Sequence, residues 1–474
     1  MLEKWRQYFD QLLNCENPEE TFEWTLVETN DYECLPPTIN ETRQQILRLK
    51  NQKSPREDRI QGEILKKLDE ETVSKIHSII EIVWQEERLQ EQWNTALVCS
   101  IHKNNDPQIC NNYRGIALLN VTYKIHAYCL LDRIKPIAEE IIGDYQGGFR
   151  PNRSTTDQIF VIRQTLQKMW EFNKDVYILF VDFKKAYDSI HRASLINILR
   201  EFKFPKTLVN LVEASLNGAK IKVNLANTLS QPVEVAAEKV GLRVNEEKTK
   251  YMVVSRRNGN QVQEEFIEVE EYKFKRVDQF KYLGSIITQD NDIKTEISTR
   301  LQSANKCFFG LSKIFRSRAI SKNLKVRMYL TLLRPIVLYG AETWPLRKTE
   351  ERRIAVFERK VLRKMYGAYY DVLANEWRKL HNEEVQSLFQ RPDILKEIKK
   401  RRLVWAGHAW RKHDSLIRRV IEENPVGRRP LGRPRLRWED CVRRDTETVE
   451  PECHWQEVAE DRDRWQYVYL EVWS

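Results

Sequence analysis

The stretch YILFVDFKKAYDSI, Tyr177 to Ile190, limits most what this chain can fold into. From Val176 to Val181 the residues are apolar without a break. A short apolar run bounded by polar residues reads as a strand. The next residue, Asp182, is a carboxylate. Aspartate is depleted in strands, and burying it without a partner costs roughly several kcal/mol. A fold that ends such a strand on aspartate has a use for the charge there.

At 474 residues the chain has room for about two to four domains. It is 41% hydrophobic and 31% charged, a globular composition rather than a disordered one. No stretch approaches the ~18 apolar residues of a membrane span, so no membrane partner is expected. The opening MLEKWRQYFDQLLN is charged and amphipathic through Trp5, Phe9, Leu12 and Leu13, unlike a signal peptide. The eight cysteines form no C-x-x-C pair. Both features point to a reduced intracellular protein of nucleus or cytoplasm. His408, His413, Cys441, Cys453 and His454 gather late in the chain but lack zinc-finger spacing.

The net charge of +10 is concentrated in one segment. Between Lys396 and Trp438 fourteen Lys and Arg stand against four Asp and Glu, and the remainder balances. Such a block favours phosphate contact with counterion release, and it equally fits a solvated surface. Within it, the prolines of GRRPLGRPRLRW deny a helix, and Arg428, Arg429, Arg433, Arg435 and Arg437 are candidate nucleic-acid contacts.

Periodicity orders the rest. Residues 1–90 read as helical, 97–101 as a strand and 118–142 as a helix. GDYQGGFRPNRSTTDQ is a loop ending in cap residues for a helix starting near Gln158. SLINILREF is a helix with Leu195, Leu199 and Phe202 on one face. AKIKVNLANTLSQPVEV runs out through Ile221, Val223 and Leu225, turns near Asn227 and returns through Val233 and Val235, a hairpin. Beyond residue 285, Ile297, Leu301, Ala304, Phe308, Leu311 and Phe315 mark an amphipathic helix, and a second helix ends at Gly367. No internal repeat is present.

A strand ending in Asp182 with an aromatic residue, Tyr187, five positions on suits nucleotidyl transfer. The carboxylate would hold Mg²⁺ by hard oxygens and the ion would bridge a triphosphate. By itself the pattern also fits an aspartate that caps a helix.

The neighbouring motifs decide between these. NNYRGIALLNVTYKIHA (111–127), QGGFRPNRSTTDQI (146–159) and FVDFKKAYDSI (180–190) stand in the order and spacing of the reverse transcriptases of non-LTR, LINE-like retrotransposons. GLRVNEEKTKYMVVS (241–255) and FKYLGSIIT (280–288) resemble later palm motifs of that family. VLYGAETWPL (338–346) and GRRPLGRPRLRWED (427–440) resemble its thumb and C-terminal tail, and WRQYFDQLLN resembles the stretch joining an upstream endonuclease to the polymerase. The resemblance implies an α+β, right-hand polymerase-like fold. Its parts would be a helical extension at 1–90, fingers and palm at 91–290, a helical thumb at 291–370 and a basic region at 371–474. It implies RNA and DNA as partners, deoxynucleoside triphosphates as substrates and Mg²⁺ as cofactor. Asp182 resembles the first metal-binding aspartate, Tyr187 the sugar gate and Phe183 a backbone contact to the nucleotide. Lys103 and Arg114 resemble the fingers cations for the triphosphate, and Lys248 the lysine that protonates pyrophosphate. Gln146, Gly147, Phe149 and Arg150 resemble template contacts. Asp188 is expected to cap the following helix.

The remaining metal ligands of that family come from a Tyr-x-Asp-Asp hairpin, preceded by a Gly/Gln motif. Here Val235 is followed directly by Ala236, and no two aspartates are adjacent anywhere. Asp290 and Asp292 open a helix, where capping explains them. Without the hairpin, the Asp182 strand is expected to have unpaired edges. Arg56 and Arg59 stand where the family has glycines. The chain is therefore expected to lack the upstream endonuclease and the central palm motifs, and to bind nucleic acid without catalysis. Two alternatives stay open: an active RNA-directed DNA polymerase, if the genomic DNA between codons 235 and 236 encodes the missing motifs, or a remnant without function.

Overall fold

The structure is a computed structural model that describes residues 1–14, 34–54, 60–103, 105–184, 186–225, 228–235, 243–256, 265–430 and 435–473. Arg56, Arg59, Arg433 and Ala236 lie outside these residues. The chain is a mixed α/β protein that divides into two compact units. One comprises Met1–Gly143 with Asp182–Asn245, the other Asp144–Val181 with Glu246–Ser474. In chain order the strands used below are β1 (Thr95–His102), β2 (Tyr113–Leu118), β3 (Val176–Phe180), β4 (Lys220–Leu225), β5 (Thr228–Leu229), β6 (Val233–Glu234), β7 (Lys250–Val254), β8 (Phe266–Val269) and β9 (Tyr272–Arg276).

In the first unit β1 pairs antiparallel with β2 and parallel with β4, and β5 and β6 return antiparallel along β4. The hairpin read from AKIKVNLANTLSQPVEV is therefore present, its turn residues 226–227 lying outside the described residues. Alternation sends Ala96 and Val98 of β1, with Ile221 and Val223 of β4, to one face, where the Leu2–Leu13 helix lays Trp5 and Phe9 over them. A separate helical core joins the Glu70–Glu86 and Val121–Ile141 helices through Ile80, Val83, Trp84 and Ile125.

The Arg192–Glu201 helix departs from its expected face. It buries Ile196, while Phe202 is 50% exposed, because the helix stops at Glu201 and Phe202 falls off its periodicity. Phe204 takes the buried place instead.

In the second unit β3 is the edge of a four-stranded sheet ordered β3-β7-β9-β8. Val176 lies opposite Val254 and Phe180 opposite Lys250. The two faces of β3 differ. Phe180 is buried and stacks on Phe280 at 4.1 Å, whereas Tyr177 and Leu179 are 65% and 44% exposed. The strand was expected to have unpaired edges; β7 pairs with one of them, and among the described residues the other has no strand neighbour.

The Thr155–Glu171 helix starts where its cap residues predicted, Ser154 and Asp157 closing a capping box. Ile297, Leu301, Ala304 and Phe308 form the buried stripe of the Lys294–Gly310 helix, and Phe315 joins the same core from the next short helix. Gly367, at φ +84°, ends the Lys348–Tyr366 helix. The C-terminal helices gather Trp405, Trp438, Trp455 and Trp465 around Phe160. Gly407 belongs to this cluster because any side chain there would run into the Trp465 indole.

Candidate functional site

The aspartate segment is held in the first unit by backbone pairing. Asn245 N–H donates to the Asp182 carbonyl at 2.7 Å, Phe183 bridges to Val244, and Lys184 N–H donates to the Arg243 carbonyl at 2.9 Å. The partner residues Arg243–Asn245 come from the GLRVNEEK motif, so two of the stretches singled out in the sequence meet. Tyr187 follows in the 3-10 turn Ala186–Ser189 and is 71% exposed. Phe183 is also exposed.

The Asp188 side chain lies outside the described residues, and the next helix does not use it as a cap. That helix starts at Arg192, and His191 Nδ1 accepts the Ser194 N–H at 3.1 Å. The cap is three residues later than expected because the 3-10 turn intervenes.

Lys103 and Arg114 sit on the β1–β2 hairpin. Arg114 lies opposite Ile101, and Lys103 N–H donates to the Asn112 carbonyl at 2.8 Å. Lys103 is two residues beyond Ile101, so it shares the face of Arg114 as a diagonal neighbour, about 7–8 Å away between backbones. Both side chains are exposed. Two cations on one face of a hairpin tip can meet the oxygens of one anion.

The remaining candidates belong to the second unit. Lys248 is exposed in the turn leading into β7, where the neighbouring Glu246 carboxylate accepts the Lys273 N–H at 3.1 Å. In the 143–154 loop the Gln146 amide donates to the Gly148 carbonyl and Arg150 to the Gln146 carbonyl, both at 3.4 Å. Gly147 leaves room for Gln158, whose amide nitrogen would lie 2.5 Å from a Cβ. Phe149 stands at φ +60° and is 94% exposed. A braced loop thus carries an apolar ring outward.

The donor set does not fit the paired Mg²⁺ site that the resemblance implies. Among the described residues no group of three or more His, Cys, Asp and Glu could hold a metal ion. Capping explains only one of Asp290 and Asp292. Asp292 accepts the Lys294 N–H at 2.8 Å and an Arg347 N–H at 2.9 Å, whereas Asp290 accepts the Thr288 hydroxyl at 2.6 Å. The N-cap residue of the Lys294–Gly310 helix is Ile293, which makes no side-chain cap bond.

The basic tail is folded into the second unit. The Arg437 guanidinium donates to Glu171 at 2.9 Å, and Arg429 lies 3.6 Å from the same carboxylate. Arg435 lies over the Trp170 ring at 4.3 Å and donates to the Asp290 carbonyl at 2.7 Å. Arg428 is exposed, and Arg433 lies outside the described residues. Upstream, Arg402 is fully buried against Asp445 at 2.9 Å, and Arg418 pairs with Glu422 at 2.7 Å. Charge counting missed this because most of the partners, such as Glu171 and Trp170, lie far away in sequence. The two clusters of polar side chains around Glu171 and Asp292 had no local signal at all.

Residues 101–231 match the family model described as reverse transcriptase (RNA-dependent DNA polymerase). The match and the relatives make the chain similar to reverse transcriptases and to transposon-derived proteins. The chain is 28% identical over 249 residues to a transposon-derived protein of Caenorhabditis elegans, covering 51% of this chain and 88% of the relative. It is 24% identical over 198 residues to the 149 kDa protein of transposon TX1 of Xenopus laevis, covering 42% of this chain and 15% of that one. It is 25% identical over 205 residues to the RNA-directed DNA polymerase from mobile element jockey of Drosophila melanogaster, covering 42% of this chain and 22% of that one. The chain thus spans most of the first relative and less than a quarter of the other two. Among the described residues no helix is long and apolar enough to cross a membrane.

Proposed function

We propose that the chain is a transposon-derived, reverse-transcriptase-like protein that binds RNA or DNA template-primer without extending it. The observation that carries the reading is the edge of β3 that has no strand neighbour among the described residues. The missing Tyr-x-Asp-Asp hairpin is the element that would pair there, and Val235 is joined to Ala236 with nothing between them. Two-metal phosphoryl transfer needs ions about 3.5–4 Å apart, shared by more than one carboxylate. Asp182 alone does not make that pair. Lys103 and Arg114 retain a common face for a triphosphate, Tyr187 retains an exposed ring for a sugar, and the 143–154 loop keeps a surface for a template strand.

Primer extension tests this. The purified chain, given an RNA template, a DNA primer, deoxynucleotides and Mg²⁺ or Mn²⁺, should bind the template-primer in a mobility-shift assay and yield no longer product. Template-dependent extension that disappears in Asp182→Asn would overturn it.

A further inference from the structure

The second unit contains a cavity of about 420 Å³ whose chemistry none of the polymerase motifs explains. It opens beside the Thr155–Glu171 helix, between residues 291–293, 343–347 and the tail residues Arg429, Pro430 and 435–437. Six arginines line it: Arg163, Arg256, Arg347, Arg429, Arg435 and Arg437. The lining carboxylates are Glu171 and Asp292, and both are already engaged. Glu171 takes Arg437 and Arg429, and Asp292 takes Arg347. Arg435 is satisfied by a carbonyl and the Trp170 ring.

Two cations remain. Arg256 is exposed at the cavity wall, and among the described residues it has no carboxylate within ion-pair distance. Arg163 is 3% exposed. One of its terminal nitrogens donates to the Ile286 carbonyl at 2.9 Å and the Ser285 hydroxyl at 3.3 Å. Its Nε is buried without an acceptor among the described residues, and it too lacks an ion-pair partner. Burial pushes its guanidinium down to about 10, which still leaves it charged at neutral pH. A buried, charged donor beside a cavity with surplus cations calls for an anion.

We propose that this cavity binds a phosphate group, carried by a free nucleotide or by the end of a nucleic-acid strand. The arginine fork matches phosphate oxygens in pairs, which a chloride ion cannot satisfy. The volume lies in the usual range of small-molecule sites, roughly 300–1,000 Å³, and is far too small for a duplex. The site belongs to the second unit and uses neither Asp182 nor the hairpin cations. It therefore stands whether or not the polymerase reading does.

Calorimetric titration of the full chain at constant ionic strength tests this. The probes are a deoxynucleoside monophosphate, the matching deoxynucleoside, and one oligonucleotide with either a 5′-phosphate or a 5′-hydroxyl. Phosphorylated probes should bind and their unphosphorylated partners should be at least tenfold weaker. Tighter binding of the phosphorylated oligonucleotide than of the mononucleotide makes the strand end the ligand; the reverse order makes it the free nucleotide. Arg256→Gln, at the surface, should weaken binding at least tenfold. Gln164→Glu, which puts a carboxylate into the lining next to Arg163, should abolish it. These variants avoid the buried Arg163, whose replacement endangers folding. The double variant Lys103→Ala, Arg114→Ala should bind phosphate as tightly as the parent. The proposal is overturned if phosphorylated and unphosphorylated probes bind alike. It is also overturned if Arg256→Gln and Gln164→Glu keep full affinity, or if the hairpin variant loses it.

Discussion

The backbone N–H of Asn245 donates to the carbonyl of Asp182 at 2.7 Å. With the Phe183–Val244 bridge and the Lys184–Arg243 bond it closes a short ladder across the aspartate segment. The residues that pin Asp182 come after the 235/236 junction, so that backbone is fixed by a segment on the far side of it. Asn245→Pro removes the donor and should lower unfolding free energy by about 1–3 kcal/mol, while Asn245→Ala keeps it and should cost less. Urea denaturation measures both, and equal losses would remove the bond's assigned role.

The open edge of β3 should make the protein self-associate. Tyr177 and Leu179 are exposed on an edge strand without charge or proline to guard it. Sedimentation velocity should show concentration-dependent oligomers that Tyr177→Lys with Leu179→Lys suppresses. Oligomers that persist in this variant would locate the association elsewhere.

Acid should weaken the first unit through His126. Burial among Trp84, Trp93 and Tyr123 pushes its imidazole down to about 4, and neither ring nitrogen has a hydrogen-bond partner among the described residues. The unfolded chain then takes up the proton first, near pH 6.5, and the folded one only near 4. Stability is full above pH 6.5 and falls as pH drops towards 4, by up to about 3 kcal/mol from this residue. His126→Phe should flatten that slope relative to the parent. Identical pH profiles for the two proteins would rule His126 out.

Arg402 and Asp445 form a buried pair, 0% and 1% exposed, at 2.9 Å, and Arg402 also donates to the Trp344 carbonyl at 3.0 Å. Removing Arg402 leaves the buried Asp445 carboxylate with only the more distant Arg444, at 3.6 Å, and Lys399, at 3.9 Å, so Arg402→Ala should cost about 3–5 kcal/mol. Arg402→Met together with Asp445→Leu should regain much of that loss, because two apolar side chains leave no stranded charge. A double variant as unstable as Arg402→Ala would contradict this account.

The sequence made local features legible. Ser154 and Asp157 announce their helix because a capping box is complete within four positions. Ile221 and Val223 announce their face because alternation is a property of one strand. Phe202 was misread because one residue of error in a helix end moves a side chain off its stripe. The arginines at 429, 435 and 437 were read as free because their partners, Glu171 and Trp170, sit on a helix more than 250 residues earlier. No window along the chain contains both. Of the candidate site, the Asp182 strand was readable from its apolar run, whereas the Tyr113–Leu118 strand that carries Arg114 was not read, and the arginine cavity exists only after distant segments meet.

The second unit takes residues 144–181 from the middle of the chain and everything else from Glu246 onward. Synthesis from the N-terminus therefore delivers its two parts at different times. The first unit is fully translated at Asn245. The Thr155–Glu171 helix and β3 must then wait for β7 and for the tryptophan-bearing C-terminal helices. At about 5–20 residues per second that wait lasts roughly tens of seconds. During it, Phe160, Leu166 and Phe180, buried in the finished protein, remain uncovered on the nascent chain. A ribosome-bound chaperone has its longest window of access there, on a helix and strand translated early and packed last.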